Sequence, residues 1–250
     1  ILCRVSNILG KPPTFFSLFL FSFQNLESGD LLVYFQELYR KKPGMSMEEA
    51  RKPQNLPRNR YRDILPYDDT RVKLIKGKND YVNANYVTME IPARGVTNRY
   101  IAAQGPLEKT CGDFWQVTPP RLKPPSLIKN NWLPKNNHRY KLNERLIFLL
   151  PDVPDDSTDF LEFIHIVRHY REGTKTPSVL HCSAGVGRTG VFIFMETVFN
   201  MIEGAEPIFP LEVVRRMRDQ RCSLIQTPGQ FIFVLEALLR AYEEEMVKPL

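Results

Sequence analysis

The sequence predicts an α/β domain in which a sheet is flanked by helices. Three observations lead to this prediction. Two strand-like runs occupy 81–87 and 99–103, and the first is alternating and rich in β-forming residues. A short apolar run at 178–180 enters a glycine-rich loop, and the residues after that loop repeat at helical spacing. Strands that are interleaved with helical patterns are typical of a sheet covered by helices.

The first predicted element is a helix between Ser28-Gly29-Asp30 and Lys42-Pro43-Gly44. Four of its apolar residues lie at the spacing of one helix face: Leu31, Leu32, Phe35 and Leu38. The two strands follow. Thr110 is then expected to cap a short helix that runs through Phe114 and Trp115. These elements make the first half of the domain.

The second half is predicted to contain four helices and a buried strand. The first helix begins at 155–157, and the strand at 178–180 leads into the glycine-rich loop. A helix follows the loop directly. The last two helices are predicted at 211–218 and 229–245.

Prolines and asparagines interrupt the central segment, 119–151. Prolines at this density exclude a central strand or an uninterrupted helix, and only 146–150 looks like a strand. The domain is predicted to span 26–250, with a degenerate or truncated insert at 119–151 and an extension outside the fold at 1–25.

Composition narrows the class of protein. The chain has 250 residues, 43% of them hydrophobic, and a formal charge of +6, which favours anionic partners. The basic residues are scattered and no nucleic-acid-binding motif accompanies them, so nucleic acid is not an expected partner. Four cysteines without a Cys-x-x-Cys pair do not make a disulfide scaffold, and no Cys/His cluster has metal-ligand spacing. We expect no metal and no cofactor, and a reducing compartment.

An apolar run at 15–23 is shorter than the roughly 20 residues that span a bilayer, so no membrane span is predicted. A signal-peptide core has about this length. Because the chain begins at Ile1, we interpret it as a fragment whose first residues are a non-native or spliced leader.

The loop from His181 to Gly190, His-Cys-Ser-Ala-Gly-Val-Gly-Arg-Thr-Gly, carries the chemistry. A strand delivers Cys182 into the loop, and Arg188 closes it where a helix begins. Backbone N–H groups in such a loop form a cradle for a tetrahedral anion, and the glycines let the backbone wrap around it. The residues predicted to bind the anion are Ser183, Ala184, Gly185, Val186, Gly187 and Arg188.

In this cradle Cys182 would lie below the phosphorus atom, while the guanidinium of Arg188 holds two phosphate oxygens. An ordinary thiol is only about 3% ionised at neutral pH, and a helix dipole alone is too weak to activate it. We expect the loop N–H groups and the Thr189 hydroxyl to stabilise the sulfur anion, and His181 to order the loop behind it. A Walker loop is excluded because Gly-Lys-Ser/Thr is missing.

The loop sequence resembles the signature of the cysteine-dependent protein-tyrosine phosphatases. Four other segments resemble the phosphotyrosine-recognition loop, two framework motifs and the glutamine loop of the same family: 59–63, 80–85, 104–107 and 226–230. Together they indicate its tyrosine-specific, non-receptor branch. The sequences of three segments are most similar to those of cytoplasmic, cytoskeleton-associated members that carry FERM and PDZ modules: 38–45, 217–221 and 242–245.

This resemblance implies the fold of that family, a twisted mixed sheet flanked by helices. It also implies a protein-tyrosine phosphatase that works through a phosphocysteine on Cys182 and acts on phosphotyrosine-containing proteins. Tyr61 would stack on the substrate ring, and Asp63 would bind the substrate backbone. Gln226 would place the hydrolytic water, and Gln230 would assist. Taken singly, Tyr61 would be read as a core or surface aromatic and Gln226 as a helix cap. The resemblance also implies a cytoplasmic protein, with cytoskeletal or membrane association through other modules.

The acid loop departs from the family pattern. The family takes its general acid from a Trp-Pro-Asp loop, whereas this chain has Leu150-Pro151-Asp152. With a two-residue deletion Asp152 is the acid, and without a gap Leu150 falls at that position and cannot donate a proton. The segment from Trp115 to Cys182 is also far shorter than the resemblance implies. We therefore expect central strands to be missing and the strand before Cys182 to be short of neighbours, which is costly for a buried sheet edge.

Three interpretations stay open: an active phosphatase, a pseudophosphatase that binds phosphotyrosine peptides, and a truncated product without stable function.

Overall fold

The computed structural model describes residues 28–77, 79–117, 147–149 and 157–250, with the backbone alone at 28–30 and 147–149. The predicted extension at 1–25, most of the predicted insert and Asp152 lie outside the described residues.

The described strands form one mixed sheet, as the sequence predicted. The strands are β1 Arg71–Lys73, β2 Tyr81–Ile91, β3 Val96–Ala103, β4 Ile147–Leu149 and β5 Ser178–His181. Their order in the sheet is β1-β2-β3-β5-β4. Neighbouring strands run antiparallel from β1 to β3 and parallel from β3 through β5 to β4.

The strand that leads to Cys182 has a neighbour on each side, so the expectation that it would lack them is wrong. Ala103 at the end of β3 pairs with His181, and Leu149 at the end of β4 pairs with the same residue. The run predicted as a strand at 146–150 supplies the second neighbour. Both edges of β5 therefore have hydrogen-bond partners, which a buried strand requires.

The helices lie where the sequence predicted them, except for a four-residue helix at Glu48–Arg51 that was not predicted. Thr110 does not make the side-chain cap that the sequence predicted for the following helix. Its hydroxyl instead accepts a hydrogen bond from the Leu107 N–H at 2.8 Å. The helices are α1 Ser28–Glu37, α2 Glu48–Arg51, α3 Cys111–Gln116, α4 Thr158–Arg171, α5 Gly187–Glu203, α6 Pro210–Arg218 and α7 Pro228–Glu243.

Helix α5 lies at the centre of the domain. Every residue from 187 to 202 except Arg188 is buried. The helix packs against β2 and β3 of the sheet, and also against α4, α6 and α7. A helix buried on all sides has no freedom to shift, and its first turn belongs to the glycine-rich loop. The core therefore fixes the position of that loop.

None of the described helices is both long and apolar enough to cross a bilayer. Within the same described ranges, no group of three or more His, Cys, Asp or Glu side chains could hold a metal ion.

Candidate active site

The loop between β5 and α5 places Cys182 at its base. The side chain is only 5% exposed. Its Sγ accepts a hydrogen bond from the Gly185 N–H at 3.2 Å and another from the Thr189 hydroxyl at 3.3 Å. Hydrogen-bond donors that converge on a sulfur favour its anionic form. The structure thus brings Thr189 and the Gly185 N–H to the sulfur of Cys182, the predicted nucleophile.

Gly185 is the residue around which the loop turns. Its φ of +71° lies in the left-handed region, and a Cβ built there would lie 2.1 Å from the Ala103 carbonyl oxygen at the end of β3. A side chain at this position would be strained and would also collide with the backbone. Glycine therefore lets the loop fold closely onto the sheet while its N–H points to Cys182.

Arg221 supports the loop from within the protein, and sequence reasoning gave it no role of its own. The side chain is fully buried. It donates to the loop carbonyls of Gly185 at 2.8 Å and Ala184 at 3.0 Å. It also donates to the side-chain oxygens of Asn85 and Asn83 on β2, at 2.8 and 2.9 Å. Arg221 therefore fixes the orientation of two peptide groups of the loop relative to β2.

One sequence signal could have pointed to this arginine. Asn83 and Asn85 are two positions apart on a strand, so their side chains share a face, and both are buried. Two buried amides on one face require a polar partner. That partner is Arg221. Burial lowers the pKa of its guanidinium.

Tyr61 lies at the rim of the loop. Its hydroxyl is 2.8 Å from the Ser183 hydroxyl, and its side chain is 41% exposed. The preceding residues are tied to the framework: Asn59 accepts from Asn83 Nδ2 at 3.0 Å, and the Arg60 N–H donates to Gln104 Oε1 at 2.9 Å. The structure thus brings Tyr61 beside the cradle. Asp63 is exposed two residues farther along.

His181 is buried behind the loop, where its ring meets the edge of Phe114 with 5.1 Å between ring centroids. Burial lowers the pKa of His181 to about 4, and the charges of Arg188 and Arg60 act in the same direction. The ring is therefore neutral at pH 7. The positive potential of the cradle comes from the N–H groups and from Arg188, which is half-buried in the first turn of α5.

The predicted glutamine loop packs against the closing end of the cradle. Gln230 Oε1 accepts from the Gln226 N–H at 2.8 Å, and its N–H donates to Thr227, which caps α7. The side chain of Gln230 lies against Gly187, since a Cβ there would be 2.6 Å from Gln230 Nε2. The cap of α7 is made by Thr227 and Gln230, so Gln226 is not the capping residue.

Comparison with known proteins identifies the family. The model of the protein-tyrosine phosphatase family matches residues 55–119 and 151–240. This chain belongs to the protein-tyrosine phosphatase family. The matched ranges contain the Cys182 loop, Tyr61, Arg221 and Gln226, so the residues that the structure brings together all lie within the family match.

Several curated relatives support the assignment. The chain is 44% identical over 274 residues to tyrosine-protein phosphatase non-receptor type 4 of Mus musculus, an alignment that covers 91% of this chain and 30% of the relative. It is 42% identical over 278 residues to tyrosine-protein phosphatase 1 of Caenorhabditis elegans, covering 90% of this chain and 27% of the relative. For tyrosine-protein phosphatase non-receptor type 20 of Rattus norvegicus the identity is 33%, with 88% of this chain and 62% of the relative covered.

The chain spans about 30% of the length of the type 4 relative. That alignment, at 274 positions, is longer than the 250-residue chain itself, so the relative has residues without a counterpart here. The family match is interrupted between 119 and 151, the segment predicted to be abbreviated.

Proposed function

We propose that this chain hydrolyses phosphotyrosine in proteins through a phosphocysteine formed on Cys182. The observation that carries the proposal is the Cys182 sulfur at the base of a glycine-rich loop, where it accepts hydrogen bonds from the Gly185 N–H and the Thr189 hydroxyl. In the first step Sγ attacks the phosphorus, an S–P bond forms, and the bond from phosphorus to the tyrosine oxygen breaks. In the second step water attacks the phosphorus, which frees phosphate and regenerates the sulfur anion.

Arg188 and the loop N–H groups stabilise the charge on the transferred phosphoryl group. Tyr61 at the rim gives the cradle an aromatic wall, against which the ring of phosphotyrosine stacks. A phosphate held at the base of such a cleft is within reach of a long aryl side chain, whereas phosphoserine is too short. This geometry supports phosphotyrosine as the substrate, with Asp63 binding the substrate backbone.

Two further groups complete the proposed cycle. Asp152 protonates the departing tyrosine oxygen, whose conjugate acid has a pKa of about 10, and general acid catalysis is worth about 10²–10⁴-fold. Gln226, assisted by Gln230, places the water for the second step.

If Asp152 is the acid, rates on aryl phosphates depend weakly on the pKa of the leaving group. A steep dependence that is the same in Asp152→Asn would remove it from the mechanism.

The test of the function is phosphate release from a phosphotyrosine peptide by the purified chain. We expect Cys182→Ser to abolish release. Cys222→Ser is the matched control, because Cys222 is also buried but its Sγ donates to the Leu65 carbonyl at 3.2 Å, outside the cradle. A phosphoserine version of the peptide should not be cleaved. Release that continues in Cys182→Ser would overturn the proposal.

A second candidate function is phosphotyrosine binding without turnover, which the altered acid loop favours, since Leu150 stands where the family has Trp. A cradle with Cys182 and Arg188 can capture a phosphopeptide even when the leaving group is not protonated. Stoichiometric binding of the peptide, with no phosphate released after long incubation, would favour this function over hydrolysis. Cooperative thermal unfolding of the chain would count against a truncated product that does not fold.

A further inference from the structure

A strained residue directly precedes Gln226. Ile225 has a φ of +54°, in the left-handed region. For a β-branched residue this conformation is a true outlier, because its Cβ substituents meet the backbone. Strain of this kind persists only where surrounding groups hold the residue in place. The groups that hold Ile225 therefore determine where the next residue, Gln226, lies.

Arg218, the last residue of α6, holds both peptide units of Ile225. Its Nε donates to the Leu224 carbonyl at 3.1 Å, and its Nη2 donates to the Ile225 carbonyl at 2.7 Å. These carbonyls belong to the peptide groups before and after the Ile225 Cα. Because φ and ψ are set by the orientation of those two groups, a planar guanidinium bonded to both restrains both angles.

The same segment is bonded directly to the catalytic loop. The Ile225 N–H donates to the Val186 carbonyl at 3.1 Å, one residue before α5 begins. Gly190 in the first turns of α5 lies so close that a Cβ there would be 2.3 Å from the Ile225 nitrogen. A change in the conformation of Ile225 would therefore move Gln226 relative to the loop that carries Cys182.

Helix α1 completes the surroundings of Arg218. The third nitrogen, Nη1, donates to the Leu38 carbonyl just after α1 at 3.0 Å. The guanidinium lies 4.8 Å from the centre of the Phe35 ring, which stacks on Phe231 of α7. The side chain is only 1% exposed. Burial lowers the pKa of Arg218 to about 10, so it remains charged and keeps all its donors at pH 7.

We propose that Arg218 is a positioning residue for the second chemical step: by holding Ile225 in its left-handed conformation, it fixes Gln226 for the attack of water on the phosphocysteine. The inference rests on the proposed function and deepens it. Arg218 does not touch the substrate and acts only through the backbone of the glutamine loop. Formation of the phosphocysteine does not use Gln226, so the first step is independent of Arg218.

This assignment predicts a separation between two kinetic constants. The ratio kcat/KM reports the steps up to phosphocysteine formation, whereas kcat also reports its hydrolysis. In Arg218→Met the conformation of Ile225 relaxes, and we expect kcat to fall about tenfold or more while kcat/KM stays within about twofold. Arg218→Lys keeps the charge and one donor and should show a smaller fall in kcat.

The experiment is stopped-flow hydrolysis of p-nitrophenyl phosphate by the 250-residue chain and its variants. The burst of p-nitrophenol reports Cys182 phosphorylation, and the later steady rate reports hydrolysis of the phosphocysteine. Gln226→Ala should reproduce the kinetics of Arg218→Met, and the double variant should be no slower than Gln226→Ala alone. Arg171→Met is the matched control. Arg171 is also largely buried, but it pairs with Glu196 and not with the glutamine loop, so the variant should lose stability without separating kcat from kcat/KM.

Each result bears on a different claim. A burst of about one p-nitrophenol per chain in Arg218→Met, followed by a slow steady rate, supports the inference. Equal losses of kcat and kcat/KM, an unchanged steady rate, or a further loss when Arg218→Met is added to Gln226→Ala would overturn it. If Arg218→Met does not fold, Arg218→Lys decides by the same criteria. If wild type releases no p-nitrophenol that depends on Cys182, the proposed function fails instead.

Discussion

Replacing Thr189 with valine removes the hydroxyl that donates to Cys182 Sγ at 3.3 Å and keeps the branched shape of the side chain. Thr189 is fully buried, so water cannot take the place of the lost donor without rearrangement. The Gly185 N–H, at 3.2 Å from the sulfur, remains. The substitution therefore tests one of the two hydrogen bonds that the structure gives to the nucleophile.

The magnitude follows from the kind of hydrogen bond. A hydrogen bond to a charged group contributes about 1.5–3 kcal/mol. At about 1.36 kcal/mol for each factor of ten, its loss sets an upper limit of about 10- to 150-fold on the decrease in reactions that use the sulfur as nucleophile. Thr189→Ser keeps the hydroxyl and loses only a methyl group, so its decrease should be less than about threefold.

Two assays measure this effect: the second-order rate of Cys182 alkylation by iodoacetamide at pH 7, and kcat/KM on p-nitrophenyl phosphate. Both should fall in Thr189→Val, because both use the sulfur as nucleophile. Thermal unfolding shows whether the variant is folded. A folded Thr189→Val that reacts as fast as wild type in both assays would refute the role given to this hydroxyl.

Three further predictions concern the support of the loop. Gly185→Ala should no longer be inhibited by inorganic phosphate and should unfold at a lower temperature, because its Cβ would lie 2.1 Å from the Ala103 carbonyl oxygen. Gly112→Ala is the control: its Cβ would have no atom within 4 Å, so the variant should be as stable as wild type or slightly more stable. Arg221→Met leaves three buried acceptors and one partly buried acceptor without this donor. At about 1–3 kcal/mol for each buried acceptor, denaturant unfolding should show a loss of more than about 3 kcal/mol, and a loss below about 1 kcal/mol would contradict the supporting role. For His181, whose pKa is lowered to about 4 from about 6.5, the unfolded chain binds the extra proton between these values, so stability falls as pH falls through that window. Between pH 6.5 and 4, the unfolding free energy of wild type should fall by roughly 3 kcal/mol more than that of His181→Gln. If the unfolding free energies of the two proteins change with pH in parallel, the lowered pKa of His181 does not contribute to stability.

The features that the sequence predicted are local ones. The strand before Cys182, the glycine-rich loop and α5 occupy consecutive residues, so their pattern identifies the cradle and the place of Thr189. The order of the longer helices followed from periodicity in the same way, whereas the mixed sheet was expected from the family resemblance. What these predictions share is that the evidence lies within one short window of the chain.

The features that were missed depend on residues far apart in the sequence. Arg221 bonds to Asn83, 138 residues away, and Arg218 bonds to the carbonyl of Leu38, 180 residues away. No spacing rule connects such pairs. The neighbour of β5 was missed for another reason: β4 has only three residues, and a strand so short gives no sign of its partner.

The central claim is that Cys182 forms a covalent bond to the phosphorus of phosphotyrosine. The most direct measurement is mass spectrometry of the chain after rapid mixing with a phosphotyrosine peptide and quenching in acid. We predict the added mass of one phosphoryl group on the fragment that contains Cys182, and none in Cys182→Ser. Phosphate released from the peptide with no phosphorylated fragment at any quench time would contradict the account.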